Sequence, residues 1–146
     1  MSTFDFGDGP VPAHRHENGG GWVADTAHVV ASAYVGSDAR VFGNARVSGD
    51  AQVYGKALVY GEARVLERAW VFGNARVFGK AQVFEKARVL GDARVFGDAR
   101  VSGTAWVFEH ARVLGDAWVS GTARVLGDAW VSGDAQVFEK SEGESP

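Results

Sequence analysis

Val41-Phe42-Gly43-Asn44-Ala45-Arg46 is followed at once by Val47-Ser48-Gly49-Asp50-Ala51-Gln52, and the same six-residue unit continues almost to the end of the chain. Valine stands at position 23 and at every sixth position through Val137, twenty positions without insertion or deletion. Alanine lies four residues after each of the first nineteen, from Ala27 to Ala135. From Val41 onward the second residue after valine is Gly, except at Glu67, Glu85, Glu109 and Glu139, and the third is polar. A repeat this strict overrides local propensity.

Three folds have a six-residue period available to them. In a helix, six steps of about 100° leave successive valines about 240° apart, so no apolar stripe forms. A meander of four-residue strands fits the Gly-polar turns, but its ribbon is only about 13 Å wide and buries little. In a solenoid the chain turns at each Gly-polar pair and equivalent strands stack in parallel. Alternation along Ala-x-Val-x then turns Ala and Val inward and both x residues outward. Glycine and Asn/Asp tolerate the corner dihedrals. The pattern therefore predicts an all-β, single-stranded parallel β-helix of triangular cross-section. Three strands and 18 residues make each coil, and the rod is roughly 30 Å long at about 4.8 Å per coil. Each buried valine contributes on the order of 2 kcal/mol, offset in part by ordering entropy. The general preference for right-handed crossovers argues for one hand, and chain physics alone leaves handedness open.

The organisation expected is an N-terminal arm or cap over residues 1–21, a solenoid over 22–140 and a short acidic tail over 141–146. In the arm, Thr3-Phe4-Asp5-Phe6 with Val11 is apolar enough to fold over the first coil; otherwise residues 1–18 are a flexible leader. The 146 residues suit one domain, and a net charge of −3, with both signs intermixed, argues against nucleic acid as a partner. The absence of cysteine excludes disulfides and thiolate metal sites. No apolar run is long enough to span a membrane and no export signal is recognisable. The expected location is cytoplasmic, or virion-associated if the gene is carried by a phage.

The unit in residues 41–52 resembles the hexapeptide-repeat superfamily of left-handed parallel β-helices. The opening His14-Arg15-His16 and Gly19-Gly20-Gly21-Trp22-Val23-Ala24-Asp25-Thr26-Ala27 resembles the entry to the first coil in a bacterial and phage branch often labelled acyltransferase. The resemblance implies a left-handed solenoid and, for the acyltransferases, a histidine base between subunits with an acyl-CoA or acyl-carrier donor. One departure matters: the residue after valine, usually small or acidic in those enzymes, is often aromatic here, as at Phe42, Tyr60 and Phe96. Bactofilin-like polymerising solenoids, which are right-handed, have a similar Gly/Ala/Val rhythm and remain an alternative.

Sorting outward residues by 18 gives three faces. One carries Phe42, Tyr60, Phe78, Phe96 and Leu114 beside Arg40, Leu58, Arg76, Arg94 and Arg112. The second carries Tyr54, Phe72, Leu90, Phe108 and Leu126 beside Gln52, Trp70, Arg88, Trp106 and Arg124. The third is milder, with Ser48, Leu66, Phe84, Ser102 and Ser120 beside Arg46, Arg64, Gln82, Arg100 and Trp118. Exposed apolar stripes several coils long point to a protein interface; stacked ladders also stabilise the coil itself. The expected contact residues are Tyr54, Trp70, Phe72, Leu90, Trp106 and Phe108, with Phe42, Tyr60, Phe78 and Phe96 on the adjacent face. Two such faces suit a homotrimer.

No catalytic, cofactor-binding or metal-binding set emerges. His110 sits at a corner and His28 on an outer face, without the positioned partner and cleft that a base needs. The γ-type carbonic anhydrases of the superfamily bind zinc through three histidines, whereas His28 and His110 lie over four coils apart. His14 and His16 read as part of a solvated leader, and the Glu corners, followed by Arg68, Lys86, His110 and Lys140, as a solvated charged edge. The leading expectation is a non-enzymatic, self-associating structural rod. The alternatives are an acyltransferase-like enzyme with an inter-subunit site, and a module that sequesters a small anion or nucleotide through Arg88 and Arg124 beside Trp106.

Overall fold

The computed structural model describes residues 2–138. Strand β1 (Thr3–Asp5) and strand β2 (Pro10–Arg15) form a hairpin, and β3 (Trp22–Ala24) opens the first coil. Nineteen two-residue strands follow at six-residue intervals, from β4 (His28–Val29) to β22 (Gln136–Val137). From β6 (Arg40–Val41) to β21 (Trp130–Val131) each strand is short because the corner after it carries a residue with φ near +65°, as at Gly55 (64°) and Gly91 (65°), which ends extended backbone.

The strands stack into three sheets of nine, seven and six. From β3 onward every pairing is parallel and advances by 18 residues, as in Val23↔Val41, Val65↔Val83 and Val71↔Val89. Inter-coil hydrogen bonds repeat with the same period: Arg46 N–H to the Ala63 carbonyl at 2.9 Å, Ser48 N–H to Val65 at 3.0 Å and Asn44 N–H to Gly61 at 2.8 Å. The chain is therefore an all-β solenoid of 18-residue coils, with the three faces sorted as the period predicts.

Inside, valine and alanine alternate as the pleat requires. Every repeat valine from Val35 to Val119 and every repeat alanine from Ala33 to Ala123 is fully buried. With only small β-branched and methyl side chains available, the bore fills without long rotamers and loses little side-chain entropy on ordering.

The N-terminal segment differs from the sequence reading. Strand β2 pairs antiparallel with β3, through Ala13↔Ala24 and Arg15↔Trp22, so the hairpin extends one face upward. Phe4 and Phe6 do not fold over the core; they lie on the outer side, against Trp22 and Phe42 at 4.9 and 4.8 Å between centroids. Val11 is exposed. The reason is register: Phe4 is paired with Val11, and strand alternation places both on the outer side with Ala13 and Trp22.

Residues 16–21 close the edge of the neighbouring sheet instead. Val35 N–H donates to the Asn18 carbonyl at 3.0 Å and Gly21 N–H to the Val35 carbonyl at 2.9 Å. His16, read as part of a solvated leader, is buried, and its Nε2 lies 2.8 Å from the Ala33 carbonyl. A carbonyl only accepts, so Nε2 carries the proton there. The acidic tail 141–146 and the corner at Glu139 lie outside the described residues.

Candidate functional site

The outward columns hold the chain's chemistry. On the first face Phe6, Phe42, Tyr60, Phe78 and Phe96 form one continuous stack, each centroid 4.8–4.9 Å from the next. From Phe42 onward the planes are parallel within 3°. In-register parallel strands set this geometry, because equivalent side chains repeat at the coil rise of about 4.8 Å. On the second face Tyr54 stacks on Phe72 at 4.8 Å, and Trp70 and Trp106 stand edge-on to Phe72 and Phe108.

Sequence reasoning takes these stripes as exposed. In the structure Phe42, Tyr60, Phe78, Phe96, Tyr54, Phe72, Leu90 and Phe108 are all partly buried, as are Trp70 and Trp106. Each ring inside a stack covers its neighbour's face, so the stacks leave mainly ring edges for a partner. The aromatic side chains that stand furthest into solvent are Trp130 (59%) and Phe138 (52%), followed by Tyr34 and Trp118. The 18-residue sorting, continued one coil further, would have found Trp130 beyond Arg112 and Phe138 beyond Ser120.

Arg88 and Arg124 lie on the second face as expected, but as stacking partners. The Arg88 guanidinium sits between two indoles, 4.6 Å from Trp70 and 5.4 Å from Trp106, and Arg124 lies 5.5 Å from Trp106. Trp70, Arg88, Trp106 and Arg124 thus alternate ring and cation along the rod. Burial raises the Tyr54 phenol above its ordinary value of 10.0, because it disfavours the phenolate; the Arg88 charge pulls in the opposite direction.

The Glu corners are also more than a solvated edge. Glu67, Glu85 and Glu109 hold φ of 60°, 59° and 59°, the left-handed region otherwise taken here by glycine. Each carboxylate accepts the backbone N–H one coil on: Glu67 from Glu85 at 3.0 Å, Glu85 from Gly103 at 2.8 Å and Glu109 from Gly127 at 2.8 Å. Among the described residues the backbone ladder supplies no acceptor for those three donors.

A groove of about 540 Å³ runs along the corner that leads into the first face. Lys56, Asp92 and His110 line one wall, and Arg76, Arg94 and Arg112 the other. His110 Nδ1 lies 3.5 Å from Asp92, and both side chains are more than half exposed. Sequence reasoning sorted the faces but left the corners unsorted. Taking Lys56, Asn74, Asp92 and His110 as one column at 18-residue spacing would have set that column beside the arginines. Among the described residues no group of three His, Cys, Asp or Glu is placed to hold a metal ion.

The family model of the YdcK beta solenoid repeat matches residues 39–55, close to one full coil. No curated protein and no solved structure matches the chain. The matched coil and the parallel stacking that carries it through the described chain make this a β-solenoid repeat protein.

Proposed function

We propose that the chain is a non-enzymatic structural or interaction protein, a rigid rod that associates with copies of itself through its aromatic outer faces. The observation that carries this reading is the unbroken coil. From Val41 to Val137 the six-residue spacing never slips, and no segment leaves the rod to wall off a substrate-sized cleft. What the rod offers is a straight, in-register surface of ring edges, Leu90, Leu126 and indole–guanidinium stacks. Partly buried aromatics and arginine with few acidic neighbours are the composition of an interface centre. Side chains already stacked on one another lose little further freedom on contact.

A homotrimer in which each prism turns the Tyr54–Leu126 face and the Phe42–Leu114 face toward its neighbours uses both stripes. Light scattering should give three times the 15.5 kDa chain mass, and Phe72→Asp with Phe108→Asp should give monomers that keep the β spectrum. The parent chain remaining at 15.5 kDa through a concentration series contradicts the reading. A folded double variant with unchanged mass removes that face from the contact.

A further inference from the structure

The groove at the corner of the first face has a charge balance opposite to that of the chain. Lys56, Arg76, Arg94 and Arg112 supply four cations against one carboxylate, Asp92, in a chain of net charge −3. Asp92 is engaged with His110. Among the described residues no carboxylate lies within ion-pairing distance of Arg76, Arg94 or Arg112. The three arginines occupy the same position on successive coils, with register Arg76↔Arg94 and Arg94↔Arg112. Their strands are about 4.8 Å apart, so three like charges stand in a row spanning about 10 Å. Directly opposed like charges destabilise a sheet. On the second face indoles separate the cations, as around Arg88; here only Arg112 has such a partner, Trp130, 5.0 Å away.

We infer that this groove binds a linear oxyanion bearing several phosphate or sulfate groups, laid along the rod axis across Arg76, Arg94 and Arg112. Guanidinium groups present planar forks of N–H donors that match tetrahedral oxyanions. A row at fixed pitch selects for several anionic groups on one chain, because a single ion neutralises one rung only. Lys56 extends the row at one end, across the corner from Leu58. The arginines stand beside the Phe42–Leu114 stripe, one of the two faces that the homotrimer uses, and on a different face from the Trp70–Arg124 stack.

The test is calorimetric titration of the full chain with inorganic tripolyphosphate, a sulfated oligosaccharide and orthophosphate. Tripolyphosphate or the sulfated oligosaccharide should bind, and the tighter of the two identifies the source of the anionic groups. Orthophosphate should bind at least about tenfold more weakly, and each guanidinium removed should cost about tenfold. Arg76→Gln with Arg94→Gln should therefore nearly abolish binding and melt no lower than the parent. If neither multivalent anion binds, or if the double variant binds as tightly as the parent, the inference fails. Equal affinity for orthophosphate overturns the linear arrangement. Binding of the multivalent anion by a parent chain that stays at 15.5 kDa is a failure of the self-association reading alone.

Discussion

Glu85 shows how one residue type replaces another at a position that geometry reserves for glycine. Its φ of 59° costs an L-residue about 1–2 kcal/mol, and its carboxylate returns a charge-assisted bond to Gly103 N–H at 2.8 Å. The two effects are similar in size, so the substitutions should separate them. Glu85→Ala keeps the strained φ and loses the bond, and should destabilise by about 1–2 kcal/mol. Glu85→Gly loses both and should be nearly neutral; denaturant midpoints measure the difference, and equal losses would contradict this account. Sequence alone locates these corners but not their role, because adjacent Arg68, Lys86 and His110 invite an ion-pair reading, whereas the structure gives each carboxylate a backbone N–H donor. Tyr54 gives a pH dependence. Its phenol holds its proton above the ordinary 10.0, so between the two values the folded chain binds more protons than the unfolded one. Its contribution is therefore complete below pH 10.0 and declines as pH rises through the folded value. Denaturation across roughly pH 9 to 11 should show a smaller alkaline loss in Tyr54→Phe than in the parent; identical profiles would contradict it.

The strands themselves were fully legible. A period of six with Val and Ala two apart leaves one inward pair per side, and the structure buries Val35 to Val119 and Ala33 to Ala123 completely. The hairpin was not legible, because Pro10 to Arg15 has neither the repeat nor a clean alternation, and its partner strand is set by register. Its anchor is the turn at residues 16–21, where Gly19 holds φ of 113° and a Cβ would lie 2.2 Å from the Val35 carbonyl oxygen. Gly19→Ala should therefore detach this segment from the six-stranded sheet while leaving the middle of the rod intact, since each coil touches only its neighbours. Hydrogen exchange should speed up at the Gly21 and Val35 amides, whose acceptors are the Val35 and Asn18 carbonyls, and stay unchanged at Val83. Uniform acceleration along the chain, or none at Gly21 and Val35, would contradict it.

At the scale of the molecule, one 18-residue coil accounts for the buried bore, the ring stacks, the arginine row and the separation of charge between corner and face. The sorting by 18 put Phe42 with Tyr60 and Arg88 with Trp106 on the correct faces. It could not show how far neighbouring rings cover one another, because that depends on side-chain contact across coils. It also left the groove unseen, since corner and face columns were never set side by side. Self-association and anion binding both depend on the same coil, so the coil is the claim to test. The chain has no cysteine, which makes introduced pairs unambiguous. Ser102 and Ser120 lie 18 residues apart on one face, each directly after a strand of the adjacent pair joined through Val101↔Val119, with Cα atoms about 4.8 Å apart, within disulfide range. Ser120 and Ser132 are nearer in sequence but lie on different faces. The measurement is intramolecular cross-linking of dilute protein, by oxidation or a short thiol-bridging reagent, read by mass spectrometry. The coil predicts that Ser102→Cys with Ser120→Cys closes readily and Ser120→Cys with Ser132→Cys does not. Closure of the second pair in preference to the first would contradict it.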